Sequence, residues 1–357
     1  MINVTKPYLP PMEEYIEYLK QIWDRDWLTN QGPLVLELES KLKDYLGLSN
    51  LHYVSNGTVA LELAIKALEL NDCEIITTPF SFVATTNSIL WQNCKPVFVD
   101  INPCDYNIDV DKIEEKITSK TKAIMAVHVF GVPCNVERIE EIAKRHNLKI
   151  IYDGAHAFGV FYKGKALLSY GDVATCSFHA TKVFHSVEGG MCYANDTKIN
   201  EKINLLKKFG YEGENYQEIG INAKNSEFHA AMGLCCFNHL KEIIERRKYV
   251  SELYDSLLDG YVKYIKHDGY EYNYIYYPVL FNDENQVIMV LSSLKENGIM
   301  GRRYFYPSLN TIQYMEPCSC PISENISKRI MCLPLDPYLT DDNVKEICDI
   351  IKQKIKK

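Results

Sequence analysis

Between about residues 50 and 195 the chain alternates short apolar runs with longer stretches of helical periodicity. No other feature restricts the fold as much, because this alternation is the signature of parallel strands joined by crossover helices. LHYVS, EIITTP, KPVFVD, KAIMAVHVFG, LKIIYD, VATCSFH and GGMCYAN read as strands. Between them TVALELAIKALEL, DVDKIEEKI and NVERIEEIAKRH carry apolar residues three and four apart and read as amphipathic helices. The expectation is an α/β domain with one dominant sheet. A long helical pattern follows around 223 to 257, and beyond it the texture shifts to isolated strands and two helices (YNYIYYPVLF, ENQVIMVLSSLKENG, RRYFYP, TDDNVKEICDIIKQKIKK). That shift divides the chain into a large domain over 1–245 and a smaller α+β domain over 246–357, with Thr340 the expected N-cap of the last helix.

The 357 residues suffice for a buried core and a second, smaller domain. A net charge of -8 argues against a general binder of nucleic acid or anionic membranes, so any phosphate must be met locally. The N-terminus MINVTKPYLPPMEEYIEYLK has no apolar core of a signal peptide. No segment approaches the roughly 18 uninterrupted apolar residues of a membrane span. A cytoplasmic protein is therefore expected, and the twelve cysteines, scattered through strands as in VATCSF and GGMCYA, read as reduced packing residues. Cys235 and Cys236 are adjacent and Cys318 and Cys320 lie in CSC, neither with zinc-knuckle spacing, so no metal site is expected.

In an open α/β sheet ligands bind outside the carboxyl ends of the strands. Four polar clusters fall at such ends. In YVSNGTVALELAIKAL a strand runs into Ser55, Asn56, Gly57 and Thr58 and at once into an apolar helix; the free N–H groups of a helix start make an anion cradle, although a plain helix cap reads the same way. In LKIIYDGAHAFG, Asp153 closes a strand buried on both faces, where a carboxylate needs a partner, and His156 follows three residues on. In VATCSFHATKVFHSVEGG, Lys182 lies in a connection between strands; a solvated cation is the bland reading, whereas a lysine in a desolvated cleft has a lowered pKa and a neutral amine able to form a Schiff base. In TTPFSFVATTNSIL, Phe80 and Phe82 are core aromatics or a stacking surface for a flat ring.

Taken together, an anion cradle, an aspartate and a lysine 29 residues after it describe what pyridoxal phosphate needs: a seat for the phosphate, a carboxylate for the ring nitrogen and an amine for the aldehyde. At this point the chain resembles the DegT/DnrJ/EryC1/StrS family of sugar aminotransferases, a branch of the fold type I transferases. The resemblance runs through WLTNQGP, SNGTVALELA, TPFSFVATTNSI, KPVFVDI, HVFG, YDGAHAFGVFYKGK, GDVATCSFHATK, EGGM, GINAKNSE and RIMCLPLDPYLT. It implies a mostly parallel seven-stranded sheet flanked by helices, with a smaller C-terminal domain. It implies that Lys182 carries the cofactor, that Asp153 faces its ring nitrogen, that His156 lies beside the ring and Phe82 stacks on it, and that Gly57, Thr58 and Ser177 bind its phosphate. Asn222 matches the asparagine that reaches the phosphate from a neighbouring subunit, so a homodimer is implied.

Two departures bear on the outcome. The family commonly has alanine where this chain has Gly154, and often a histidine after the proline where this chain reads YFYPSLN. The lysine separates the chain from the family's deoxysugar dehydratases, which have histidine there. FHATK and EGG resemble the branch acting at C-4, and with YFYPSLN imply a transaminase that uses L-glutamate to make dTDP-4-amino-4,6-dideoxyglucose for O-antigen or a similar surface glycan. A UDP-linked 4-keto N-acetyl sugar is the alternative substrate, and a dTDP-linked 3-keto sugar the next. Thr29, Asn30, His185 and Tyr306 are the candidate sugar contacts. A non-catalytic nucleotide-sugar-binding protein would be free to lose Lys182 or Asp153, and the presence of both speaks against it; a plain nucleotide-binding α/β protein would be expected to show a Gly-rich fingerprint after its first strand, and no G-x-G-x-x-G occurs.

Overall fold

The computed structural model of the chain describes residues 1–265 and 267–355. Its centre is a seven-stranded sheet formed by β1 (Leu51–Val54), β2 (Glu74–Thr77), β3 (Lys95–Phe98), β4 (Thr121–Val127), β5 (Lys149–Asp153), β6 (Val173–Ser177) and β7 (Gly190–Ala194). The spatial order is β1-β7-β6-β5-β4-β2-β3. β7 runs antiparallel to both of its neighbours, while the pairings among β2 to β6 are parallel. All seven expected strands are present, and the mostly parallel α/β class holds.

Side chains alternate across the sheet, so each strand feeds two cores. In β4, Ile124 and Ala126 enter one core and Ala123 and Met125 the other; in β5, Ile150 and Tyr152 part from Ile151 in the same way. The helix Gly57–Ala67 closes one face with Ala60, Leu61 and Ala64. Helices Pro33–Leu46 and Val136–His146 close the other with Leu38, Leu42, Ile139 and Ile142. Because both faces are covered, the strands are continuous apolar runs rather than alternating ones.

Two expected helices differ. DVDKIEEKI forms two single 3-10 turns, Val110–Lys112 and Glu114–Lys116. Of its apolar residues Ile113 alone is fully buried, too little anchoring for so short a segment to complete α-helical turns. The pattern over 223–257 is two helices, Glu227–Asn238 and Leu240–Leu258, broken at His239, whose ring turns to Glu14 Oε1 at 2.8 Å.

Beyond them a third core gathers Val250, Tyr254 and Leu258, the helices Glu284–Glu296 and Asp341–Lys354, and a three-stranded antiparallel sheet of Lys263–Tyr264, Tyr277–Leu280 and Ile330–Leu333. The division at residue 245 falls within the helix Leu240–Leu258, whose Leu240 and Ile243 belong to the first core. Thr340 caps the last helix through a full capping box, with its hydroxyl accepting from Asn343 N–H and Asn343 Oδ1 accepting from Thr340 N–H, each at 3.2 Å. The twelve cysteines are free thiols, and all but Cys104 and Cys318 are buried. Among the described residues no helix is long and apolar enough to cross a membrane.

Candidate active site

Parallel strands deliver their carboxyl ends to one edge of the sheet, and a cleft of about 490 Å³ opens there. β1 runs out into Asn56 and the helix Gly57–Ala67. The cap of that helix is Asn56, whose Oδ1 accepts from Val59 N–H at 2.9 Å, so Gly57 and Thr58 keep their own N–H groups for the cleft. β6 ends opposite, at Ser177. A Cβ on residue 57 would lie 2.9 Å from Ser177 Cβ, which is why glycine stands where the helix start approaches that strand end. An N–H-rich helix terminus facing a serine hydroxyl is a seat for a phosphate-sized anion.

β5 delivers Asp153, which is 5% exposed. Its Oδ2 accepts from Thr85 Oγ1 at 2.7 Å and its Oδ1 from Ala155 N–H at 3.0 Å. Burial raises its pKa, and the hydrogen bonds from Thr85 and Ala155, together with the charge of Lys182, pull it back. Lys182 reaches into the cleft from the connection between β6 and β7, with Nζ 5.9 Å from the centre of the Tyr276 ring. Desolvation lowers its pKa against the opposing pull of Tyr304 and Asp153, so a larger share of its amine is neutral than for a surface lysine. His156 Nδ1 accepts the N–H of Phe130 at 3.2 Å, and burial drives its pKa well below the ordinary histidine value. The imidazole is therefore neutral, with its proton on Nε2. Its ring lies parallel to Phe305 at 5.8 Å and edge-on to Tyr276 at 5.0 Å. Phe82 lines the same cleft and is 52% exposed, a large apolar surface left uncovered at its mouth.

The cleft thus brings together Gly57, Thr58, Phe82, Asp153, His156, Ser177 and Lys182. It does not include the rest. Thr29 and Asn30 are exposed and lie outside its lining. Asn222 is also exposed, its carboxamide oxygen accepting from Lys224 Nζ at 2.7 Å. His185, read from the sequence as a sugar contact, is a core residue: it is 2% exposed, and its Nε2 bonds the carbonyl of Tyr8 at 2.7 Å. Tyr306 turns away from the cleft and stacks on the guanidinium of Arg303 at 3.4 Å, while Arg302, Tyr304 and Phe305 of the same segment line it. Sequence reasoning missed these three, and also Tyr276, Thr85 and Ser81. No pattern in SFVAT set the last pair apart, because Ser81 precedes the helix Ala84–Trp91 and Thr85 lies inside it.

An anion seat, a buried carboxylate and a half-buried amine whose pKa desolvation lowers fit the three reactive ends of pyridoxal phosphate, with a neutral imidazole and an uncovered phenyl ring for its flat face. Fold and site together define a fold type I transferase of the aminotransferase kind. The chain belongs to the DegT/DnrJ/EryC1/StrS aminotransferase family, whose model matches residues 11–352, and that family implies pyridoxal phosphate as the cofactor. It is 41% identical to a dTDP-4-amino-4,6-dideoxy-D-glucose transaminase of Shigella dysenteriae, over 99% of this chain and 98% of the relative. It is 33% identical to a GDP-perosamine synthase of Vibrio cholerae, again over 99% and 98%. The crystal structure of DesI in the presence of its TDP-sugar product superposes with a TM-score of 0.94 at 30% identity, covering 99% of this chain and 92% of that one.

Proposed function

We propose that the protein uses pyridoxal phosphate to move the amino group of L-glutamate to C-4 of a nucleotide-linked 4-keto-6-deoxyhexose, converting dTDP-4-keto-6-deoxy-D-glucose to dTDP-4-amino-4,6-dideoxy-D-glucose for a surface glycan such as O-antigen. The observation that carries this reading is the convergence of Lys182, Asp153 and the Gly57/Ser177 seat in one cleft. Likeness to the Shigella dysenteriae transaminase supports the choice of acceptor.

When bound, pyridoxal phosphate supplies an electron sink for the carbon that loses its proton. In this reading Gly57 and Thr58 N–H and Ser177 Oγ would hold the phosphate end, Phe82 and His156 would lie against the ring, and Asp153 would keep the ring nitrogen protonated. Lys182 Nζ is the anchor and then the proton carrier: as a neutral amine it takes the proton from Cα of glutamate, and in the second half-reaction it delivers one to C-4 of the sugar. Burial suits both tasks because it lowers the pKa of the amine. His156, held neutral, adds no second positive charge beside the protonated ring. The active unit in this proposal is a homodimer in which Asn222, exposed and outside its own cleft, reaches the partner's phosphate.

A GDP-linked acceptor is the second reading, favoured by the likeness to the Vibrio cholerae GDP-perosamine synthase. The deciding experiment is glutamate-dependent amination of dTDP-, GDP- and UDP-linked 4-keto sugars by the holoenzyme, with the new amine located by NMR. The proposal requires the highest kcat/KM for the dTDP substrate and a product aminated at C-4. Amination at C-3, or a clear preference for GDP or UDP, would overturn the corresponding part.

A further inference from the structure

Asp153 is a buried carboxyl group whose ionised form burial disfavours, and its two hydrogen bonds come from a backbone N–H and a single side chain, Thr85. That side chain does not act alone. Thr85 is the second residue of the helix Ala84–Trp91 and is completely buried, and its Oγ1 also lies 2.7 Å from Oγ of Ser81, which is buried too and lines the cleft. A hydroxyl has one proton to give. An ionised carboxylate can only accept, so the Thr85 proton points at Asp153 and the proton between the hydroxyls must come from Ser81. The chain Ser81 to Thr85 to Asp153 therefore has a fixed direction while Asp153 is ionised.

The arrangement is more than packing. A hydroxyl in the first turn of a helix ordinarily satisfies a backbone donor or carbonyl of that helix, as Thr86 does with Val83 O at 3.1 Å. Thr85 instead spends its proton on a strand end 68 positions away. Valine would fill nearly the same volume and leave the carboxylate without its side-chain donor. The charged and titratable groups that face Asp153 are Lys182, which favours its ionised form, and Cys176; desolvation opposes that form, and Thr85 is the strongest influence against desolvation.

We infer that Thr85, backed by Ser81, is a positioning residue that holds Asp153 as an oriented carboxylate and so sets how firmly the ring nitrogen of pyridoxal phosphate keeps its proton. This rests on the cofactor reading above. With Thr85 fixing Oδ2 and Ala155 fixing Oδ1, the lone pairs that remain are held toward the cleft. A ring nitrogen approaching them meets a charge that is already placed.

The test is a comparison of wild type, Thr85→Val, Thr85→Ser and Ser81→Ala by pyridoxal phosphate titration and by the pH dependence of the bound cofactor's visible band. A hydrogen bond to a charged group corresponds to roughly a tenfold to hundredfold change in affinity. Thr85→Val should weaken cofactor binding by that factor and move the pH midpoint of the band upward, since a less firmly protonated ring draws less charge from Lys182 Nζ. Thr85→Ser should restore both to within about threefold, and Ser81→Ala should give a smaller loss of the same kind. A purely structural hydroxyl would change the melting temperature and leave the band's midpoint in place. If Thr85→Val does not fold, Ser81→Ala and Thr85→Ser carry the test, and wild-type affinity and midpoint in Ser81→Ala then overturn the proposal. Wild-type affinity in Thr85→Val overturns it directly. A wild-type protein that forms no visible band removes the cofactor reading itself, a different result from a band that Thr85→Val fails to perturb.

Discussion

Gly154, beside Asp153, occupies a position where the family resembled commonly has alanine, and the structure gives glycine a reason. A Cβ there would lie 2.2 Å from Leu168 Cδ2 and 2.8 Å from the carbonyl oxygen of Thr175, against ordinary contacts of 3.4 Å or more. The Leu168 methyl would have to withdraw by more than an ångström inside a fully packed core, since Leu168 is completely buried. The Thr175 carbonyl is tied, because it accepts the N–H of Gly154 itself at 2.9 Å. Overpacking of this kind costs about 1–3 kcal/mol, and with both neighbours constrained the upper half of that range is expected for Gly154→Ala. The strain also borders Asp153, so weaker cofactor binding should accompany it. Urea denaturation of the apoprotein and a pyridoxal phosphate titration read the two effects. Leu168→Val removes the offending methyl, so the double variant should recover at least ~0.5 kcal/mol relative to additivity. A Gly154→Ala protein within about 0.5 kcal/mol of wild type, or strict additivity with Leu168→Val, would refute the steric argument.

Glu227 is buried and places its two carboxylate oxygens on Leu34 N–H and Val35 N–H, each at 2.9 Å, capping the helix Pro33–Leu46 from outside that helix. Glu227→Ala orphans both donors and should cost about 2–4 kcal/mol by urea denaturation, with Glu227→Gln losing less; an unchanged midpoint would remove the capping role. Burial lowers the pKa of His52 to about 4 and of His128 to about 3, whereas in the unfolded chain each takes up a proton near pH 6.5. The folded apoprotein thus binds fewer protons, so its stability is lost as pH falls below about 6.5, by ~1.4 kcal/mol per pH unit for each such histidine until its folded pKa is reached. A urea midpoint that stays flat from pH 7 to 5 would contradict this. His185→Gln should lower the melting temperature, because it disturbs the bond to Tyr8 O, and leave KM for the sugar nucleotide within about twofold, since the side chain does not reach the cleft; a large KM effect would return His185 to the substrate site.

The central sheet was legible because each of its strands is a short apolar run that ends in polar residues, the pattern that burial on both faces demands. Asp153 was legible for a related reason, since it interrupts an apolar run at a strand end, and Gly57 because it opens an apolar helix just after a strand; Ser177 entered only through the family resemblance. Thr85 and Ser81 were not, since a hydroxyl inside an apolar helix start looks the same whether it bonds its own backbone or a distant carboxylate. His185 misled because it follows Lys182 by three residues, and only the tertiary packing turns its ring toward the Tyr8 carbonyl. Tyr276, Arg302 and Tyr304 arrive from the C-terminal part of the chain. The irregular backbone of the segment around residues 302–307 has no period from which to tell its inward side chains from Tyr306.

The claim on which the rest depends is that Lys182 carries pyridoxal phosphate, and the visible spectrum of the purified protein tests it most directly. With cofactor added, wild type should show a Schiff-base band that L-glutamate bleaches, and Lys182→Ala should show none while keeping the fold by circular dichroism. A wild-type protein that stays colourless with saturating pyridoxal phosphate, or a Lys182→Ala variant with an undiminished band, would contradict the account.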